Sequence, residues 1–104
     1  MKRKVIFKST VKGDIIDVEA FANNHTVNVN LNKGEYSSEF LGKISEGRTF
    51  NVQFRIHGLN GTSYSIAYFC AADNEKKSDP DKPSPIEGTI ASGNYQSEEL
   101  NIKI

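Results

Sequence analysis

Phe50-Asn51-Val52-Gln53-Phe54-Arg55-Ile56-His57 alternates a large apolar side chain with a polar one along its whole length. Successive side chains of an extended chain point to opposite faces, which puts Phe50, Val52, Phe54 and Ile56 on one side and Asn51, Gln53, Arg55 and His57 on the other. A helix would scatter the apolar set around its axis. The stretch therefore reads as a β-strand with one buried and one wet face.

The same alternation recurs in both directions. Val27, Val29 and Leu31 oppose Asn28, Asn30 and Asn32, and Leu100, Ile102 and Ile104 oppose Asn101 and Lys103. Ile16, Val18 and Ala20 oppose Asp17 and Glu19, while Tyr64, Ile66, Tyr68 and Cys70 share a face opposite Ser63, Ser65 and Ala67. Residues 4–10, 36–41 and 86–91 alternate less strictly but keep β-branched and aromatic residues. Turn chemistry separates these segments at Lys12-Gly13-Asp14, Asn23-Asn24, Asn32-Lys33-Gly34, Ser45-Glu46-Gly47, Gly58-Leu59-Asn60-Gly61 and Ser92-Gly93-Asn94. Eight strands separated by turns every 8–12 residues or so predict an all-β chain. No stretch has apolar residues at helical spacing over three turns. The expected architecture is a single antiparallel β-sandwich of two sheets and about eight strands, with residues 1–104 as one domain. The segments joined by Gly58–Gly61 read as a hairpin at the centre of a sheet, and Phe50, Val52, Phe54, Ile56, Tyr64, Ile66 and Tyr68 as the heart of the core.

Tyr64-Ser65-Ile66-Ala67-Tyr68 resembles the Tyr-x-Val-x-Val strand of fibronectin type III and other immunoglobulin-like sandwiches. What the resemblance implies is architecture alone, because the chain has no Trp and no pair of cysteines. An immunoglobulin-like or fibronectin-like topology and a jelly-roll or C2-like one are both open.

Composition excludes several function classes. Thirteen basic residues balance thirteen acidic ones, so no global field draws the chain to nucleic acid or to an anionic membrane. Cys70 is the single cysteine, so no internal disulfide can form. Met1-Lys2-Arg3-Lys4 is followed by only three apolar residues before Lys8. It reads as the start of a strand, not as a signal peptide, whose apolar region runs to about 7–15 residues. No apolar run approaches the ~20 residues that span a bilayer as a helix. Two sequons, Asn24-His25-Thr26 and Asn60-Gly61-Thr62, fall in predicted turns, where chance accounts for them in so Asn-rich a chain.

Catalytic spacing is missing. His25, His57 and Cys70 are the only imidazole or thiol ligands; parity turns Cys70 inward and His57 outward, and the single methionine, Met1, leaves no axial ligand for a copper site. No serine sits in a Gly-x-Ser-x-Gly turn, and Gly42-Lys43 lacks the rest of a phosphate loop. Arg48, Arg55 and Lys43 have no outward aromatic neighbour in the assigned strands, which argues against single-stranded nucleic acid. Tyr36 and Tyr95, near loops, are the candidates for stacking on a sugar.

Residues 73–85 break every strand rule, holding all three prolines and the densest charge in the chain. A loop of this length is expected to stand in solvent and to be functional or disordered. Asp73, Asp79 and Asp81 are candidate calcium ligands, an arrangement similar to C2 domains, in which Asp14 and Asp17 would join from another loop. Lys76, Lys77 and Lys82 among the acids weaken that reading. Asp79-Pro80-Asp81-Lys82-Pro83 has PxxP spacing and is the candidate partner-binding segment.

The expected function is a non-enzymatic binding or protein-interaction domain, with a protein partner ahead of a glycan and no cofactor unless calcium. A calcium-dependent module binding a membrane or glycan through the 73–85 loop is the second expectation. A structural subunit that forms homo-oligomers through its sheet edges is the third.

Overall fold

Ten strands, every pair antiparallel, form in the computed structural model, which describes residues 1–104. They are β1 (Lys2–Gly13), β2 (Asp17–Ala22), β3 (His25–Val27), β4 (Val29–Asn32), β5 (Glu35–Ser45), β6 (Thr49–His57), β7 (Ser63–Ala72), β8 (Glu75–Lys77), β9 (Ile86–Thr89) and β10 (Tyr95–Lys103). The larger sheet runs β4-β5-β1-β7-β8, with β9 also paired to β7, and the smaller runs β10-β6-β2-β3. No helix is present, and so none is long and apolar enough to cross a membrane.

The two sheets pack through most of the faces that alternation assigns to the interior, with Leu31 on β4 an exception at 62% exposed. Phe50, Val52, Phe54 and Ile56 on β6 meet Val5, Phe7 and Val11 on β1 and Tyr64, Ile66 and Cys70 on β7 in one cluster of 21 buried residues. Phe7 sits edge-on to Phe50 at 5.8 Å and stacks on Tyr68 at 6.0 Å, while Phe40 lies 5.0 Å from Phe50. Each such side chain contributes about 1.5–3 kcal/mol by leaving water, so the ladder of β6 alone carries a large share of the stability. Ser9 and Ser38 are buried on neighbouring strands and satisfy each other at 2.6 Å.

Three expectations are corrected. The segments joined by Gly58–Gly61 are not a hairpin: β6 is flanked by β10 and β2, and β7 belongs to the other sheet. Gly61 donates to Ile90 and Gly58 to Asn94, which fixes the connection as a crossing between sheets. Each strand turns its apolar face to the core from its own sheet. Residues 27–31, read as one strand, are two, because the chain leaves the smaller sheet after Val27 and enters the larger at Val29. This split and the short β8 bring the strand total to ten. Ile16 lies before β2 begins and is 68% exposed, not inward with Val18 and Ala20.

β3 and β4 thus close one side of the two-sheet stack. The other side, where the β7 edge meets β10, is closed by the segment after β8. There Tyr68 N–H donates to Ser84 Oγ at 3.0 Å and Tyr68 Oη to the Lys82 carbonyl at 2.7 Å, while Asp79 N–H donates back to Tyr68 Oη. Asp79 Oδ2 accepts from Asn101 N–H of β10 at 2.8 Å and Oδ1 from Asp81 N–H at 2.9 Å. The long loop therefore does not stand wholly in solvent. Asp79 is 6% exposed and ties the edges of the two sheets together.

Cys70 lies on β7 with no exposed surface, and burial pushes its thiol up to about 11 despite the nearby Lys77 ammonium. A thiolate is the reacting species, so native Cys70 is expected to resist a thiol reagent and to be labelled only at the rate of unfolding. Absorbance of released thionitrobenzoate checks this; rapid stoichiometric release in native buffer contradicts it.

Candidate functional site

Outward residues of the smaller sheet form a grid fixed by the ladder register. Reading from β2 through β6 to β10, its rows are Asp17-His57-Tyr95, Glu19-Arg55-Ser97 and Phe21-Gln53-Glu99; Asn51-Asn101 and Thr49-Lys103 follow on β6 and β10. Each row sits about 7 Å from the next, since alternate residues of a strand share a face.

The side chains of this grid hold one another. Glu99 Oε2 accepts from Asn51 Nδ2 at 3.0 Å and from Gln53 Nε2 at 2.9 Å, and Asn51 Nδ2 also reaches Asn101 Oδ1 at 2.9 Å. Asn51 first, then Gln53, holds the Glu99 carboxyl below the usual carboxylate range. A lowered folded-state value means that these bonds stabilise the fold at neutral pH and fade as the pH falls through that value. His57 Nε2 lies 2.8 Å from Glu19 Oε1, and its ring stacks on Tyr95 at 5.9 Å. The Arg55 guanidinium covers the Phe21 ring at 5.2 Å. A recess of about 270 Å³ opens between Arg55, Gln53, Tyr95, Ser97 and Glu99.

Alternation placed Asn51, Gln53, Arg55 and His57 outward, and the structure agrees. Arg55 nevertheless has an aromatic neighbour. β2 continues to Ala22, so Phe21 follows Asp17 and Glu19 onto the outer face. Tyr95 was legible as a stacking candidate but not as a strand residue, because β10 begins five positions before Leu100. Tyr36, the other candidate, is buried and donates to the Ile16 carbonyl at 2.8 Å.

Asp73, Asp79 and Asp81 are not brought together. Asp73 opens the tight β7–β8 turn with φ 47°, and the Lys4 N–H and the Arg3 guanidinium hold its carboxyl below the usual range. Asp79 points inward to Asn101, while Asp81 is exposed. No group of three or more His, Cys, Asp or Glu side chains is placed to hold a metal ion. Along Pro80-Asp81-Lys82-Pro83, the Lys82 carbonyl is taken by Tyr68, and Lys82 Nζ lies 3.0 Å from Glu98 Oε1. Comparison with protein-family models, curated proteins and solved structures finds no match.

Proposed function

We propose that this chain is a non-enzymatic binding domain, a β-sandwich of the immunoglobulin-like or jelly-roll/C2-like kind, whose ligand is a glycan lying across the outer face of the smaller sheet. The observation that carries the reading is the locked array of Tyr95, His57, Arg55, Gln53, Glu99 and Asn51. A sugar ring offers apolar C–H faces to an aromatic ring and paired hydroxyls to amides and carboxylates. This face supplies both at fixed spacing, and side chains already ordered by mutual bonds lose little freedom on binding. The centre of a protein–protein interface favours contiguous apolar area with few charges. Here every one of these three rows carries charge: Asp17 beside His57 and Tyr95, Glu19 and Arg55 in the next, and Glu99 in the row of Phe21.

Sheet edges give the assembly reading less support, since Asp79 occupies an amide of the β10 edge. Titration of the labelled chain with cello-, xylo-, chito- and malto-oligosaccharides is expected to shift the amides of Gln53, Arg55, Ser97 and Glu99 saturably. Tyr95→Ala and Gln53→Ala should each weaken that binding about tenfold, as removal of a stacking ring or a hydrogen-bond partner does. Failure of the whole panel to shift these amides would sink the glycan reading, and so would unchanged affinity in both variants.

A further inference from the structure

At the end of the stack opposite His57 and Tyr95, a second recess of about 460 Å³ is lined by residues of both sheets. Lys2 and Lys43 line it from the larger sheet, Arg48, Thr49 and Asn51 from the β5–β6 turn and β6, and Asn23 and Asn24 from the β2–β3 turn. None of its lining residues is acidic. We propose that this recess binds the tetrahedral oxyanion, phosphate or sulfate, of a small organic ligand, independently of the glycan reading.

Charge placement is the first support. The chain as a whole is balanced, yet its ion pairs are laid elsewhere: Arg3, Lys8, Lys12, Lys77 and Lys82 make them, and Lys2, Lys43 and Arg48 do not. Two more cations without ion pairs are ladder partners of lining residues: Lys4 lies directly opposite Lys43 and Lys103 directly opposite Thr49. Like charges directly opposite on neighbouring strands repel; the Asp73 carboxylate is the anion close to Lys4, whereas no residue lining the recess beside Lys43 is acidic.

Preorganisation is the second. Asn23 and Asn24 both have positive φ, 48° and 67°, in a tight turn pinned to β6, where Asn23 N–H donates to the Asn51 carbonyl and Asn23 Oδ1 accepts from Asn51 N–H at 2.9 Å. The Arg48 backbone is held by Ser45 and Ile104. Asn24, Ser45 and Thr49, which carry amide and hydroxyl groups, line the recess together with the three cations. Arginine and lysine around an oxyanion give charge-assisted bonds about twice as strong as neutral ones. A recess of this volume leaves room for the organic group that carries the anion.

The test is titration of the isotopically labelled chain with inorganic phosphate and, separately, inorganic sulfate at low ionic strength, read by amide shifts. Saturable shifts confined to Asn24, Lys43, Ser45, Arg48 and Thr49 are expected, with a Kd of order 1 mM. Which anion binds more tightly assigns the source. Lys43→Gln and Arg48→Gln should each weaken binding about tenfold or more. Lys8→Gln, on the same sheet but paired with Glu39, should leave it unchanged. Circular dichroism melts of the variants separate lost binding from lost folding. Shifts spread equally over Lys8, Lys12 and Lys33, no saturation with either anion, or binding of a long sulfated polymer alone would overturn the proposal.

Discussion

Asp79→Ala is expected to lower the free energy of unfolding by about 2–3 kcal/mol, because a carboxylate 6% exposed then no longer accepts from Asn101 and Asp81. For a chain of this size the melting temperature should fall on the order of 10–20 °C. The loss has a second consequence that a simple core truncation lacks. β10 is a nine-residue edge strand with β6 on one side only, and Asp79 sits on the other. Asn101 N–H points out of the sheet, so alternation points the amides of Ser97, Glu99 and Lys103 the same way. Removing the carboxylate opens a long edge to another strand, and self-association that rises with concentration should accompany the lower melting point. Asp79→Asn, which keeps one acceptor oxygen, should show a smaller effect in both readings. Thermal melts and sedimentation velocity over a range of concentrations decide it. A melting point within ~2 °C of the unsubstituted chain, with unchanged sedimentation, would mean that Asp79 does not fasten this seam.

How much of this was legible in the sequence depends on the range over which each signal acts. The inward and outward faces of β6 follow from parity, a property of neighbouring residues, and the buried set Phe50, Val52, Phe54 and Ile56 appears as read. Which strands then pair is a question of partners far apart in the chain. The four residues of Gly58-Leu59-Asn60-Gly61 have the chemistry of a hairpin turn, and the same chemistry serves a crossing between sheets. The apolar faces on both β6 and β7 did not decide between the two, since neighbours in one sheet such as β1 and β7 each carry one as well. Val27, Val29 and Leu31 keep perfect alternation through the switch at Asn28, so parity could not show the break. In the long loop, the bond from Asp79 to Asp81 two residues on is a local Asx turn of the sort that a sequence displays. Its partner Asn101 lies 22 residues away and leaves no such trace. The outer-face grid divides the same way. Its polar column on β6 was readable, whereas the rings beside it, Phe21 and Tyr95, depended on where β2 ends and β10 begins.

Gly88→Ala is expected to cost about 2–3 kcal/mol, against the usual gain of a few tenths to one for replacing glycine at an unstrained position. Gly88 lies directly opposite Tyr64 in the β7–β9 ladder. A Cβ there would come within 2.6 Å of Tyr64 Cζ and 3.0 Å of Glu98 Oε2. Neither neighbour can readily give way. Tyr64 is buried and its hydroxyl donates to Glu98, while Glu98 is itself held by Lys82 on the closing segment. Burial, reinforced by the adjacent Glu98 carboxylate, raises the Tyr64 pKa and keeps the phenol protonated as the donor. An added methyl group therefore displaces a chain of contacts running from β9 through β7 to β10, and the loss should spread to the Asp79 seam as faster amide exchange at Asn101. Shortening the ring tests the cause. Tyr64→Leu alone removes buried area and the Glu98 bond, but it also vacates the space that the alanine needs. In the double variant the two losses should fall short of their sum by about 1–2 kcal/mol. Urea unfolding of the four chains closes the cycle. Additive losses, or a Gly88→Ala chain as stable as the original, would mean that some property of glycine other than the space beneath Tyr64 is required at this position.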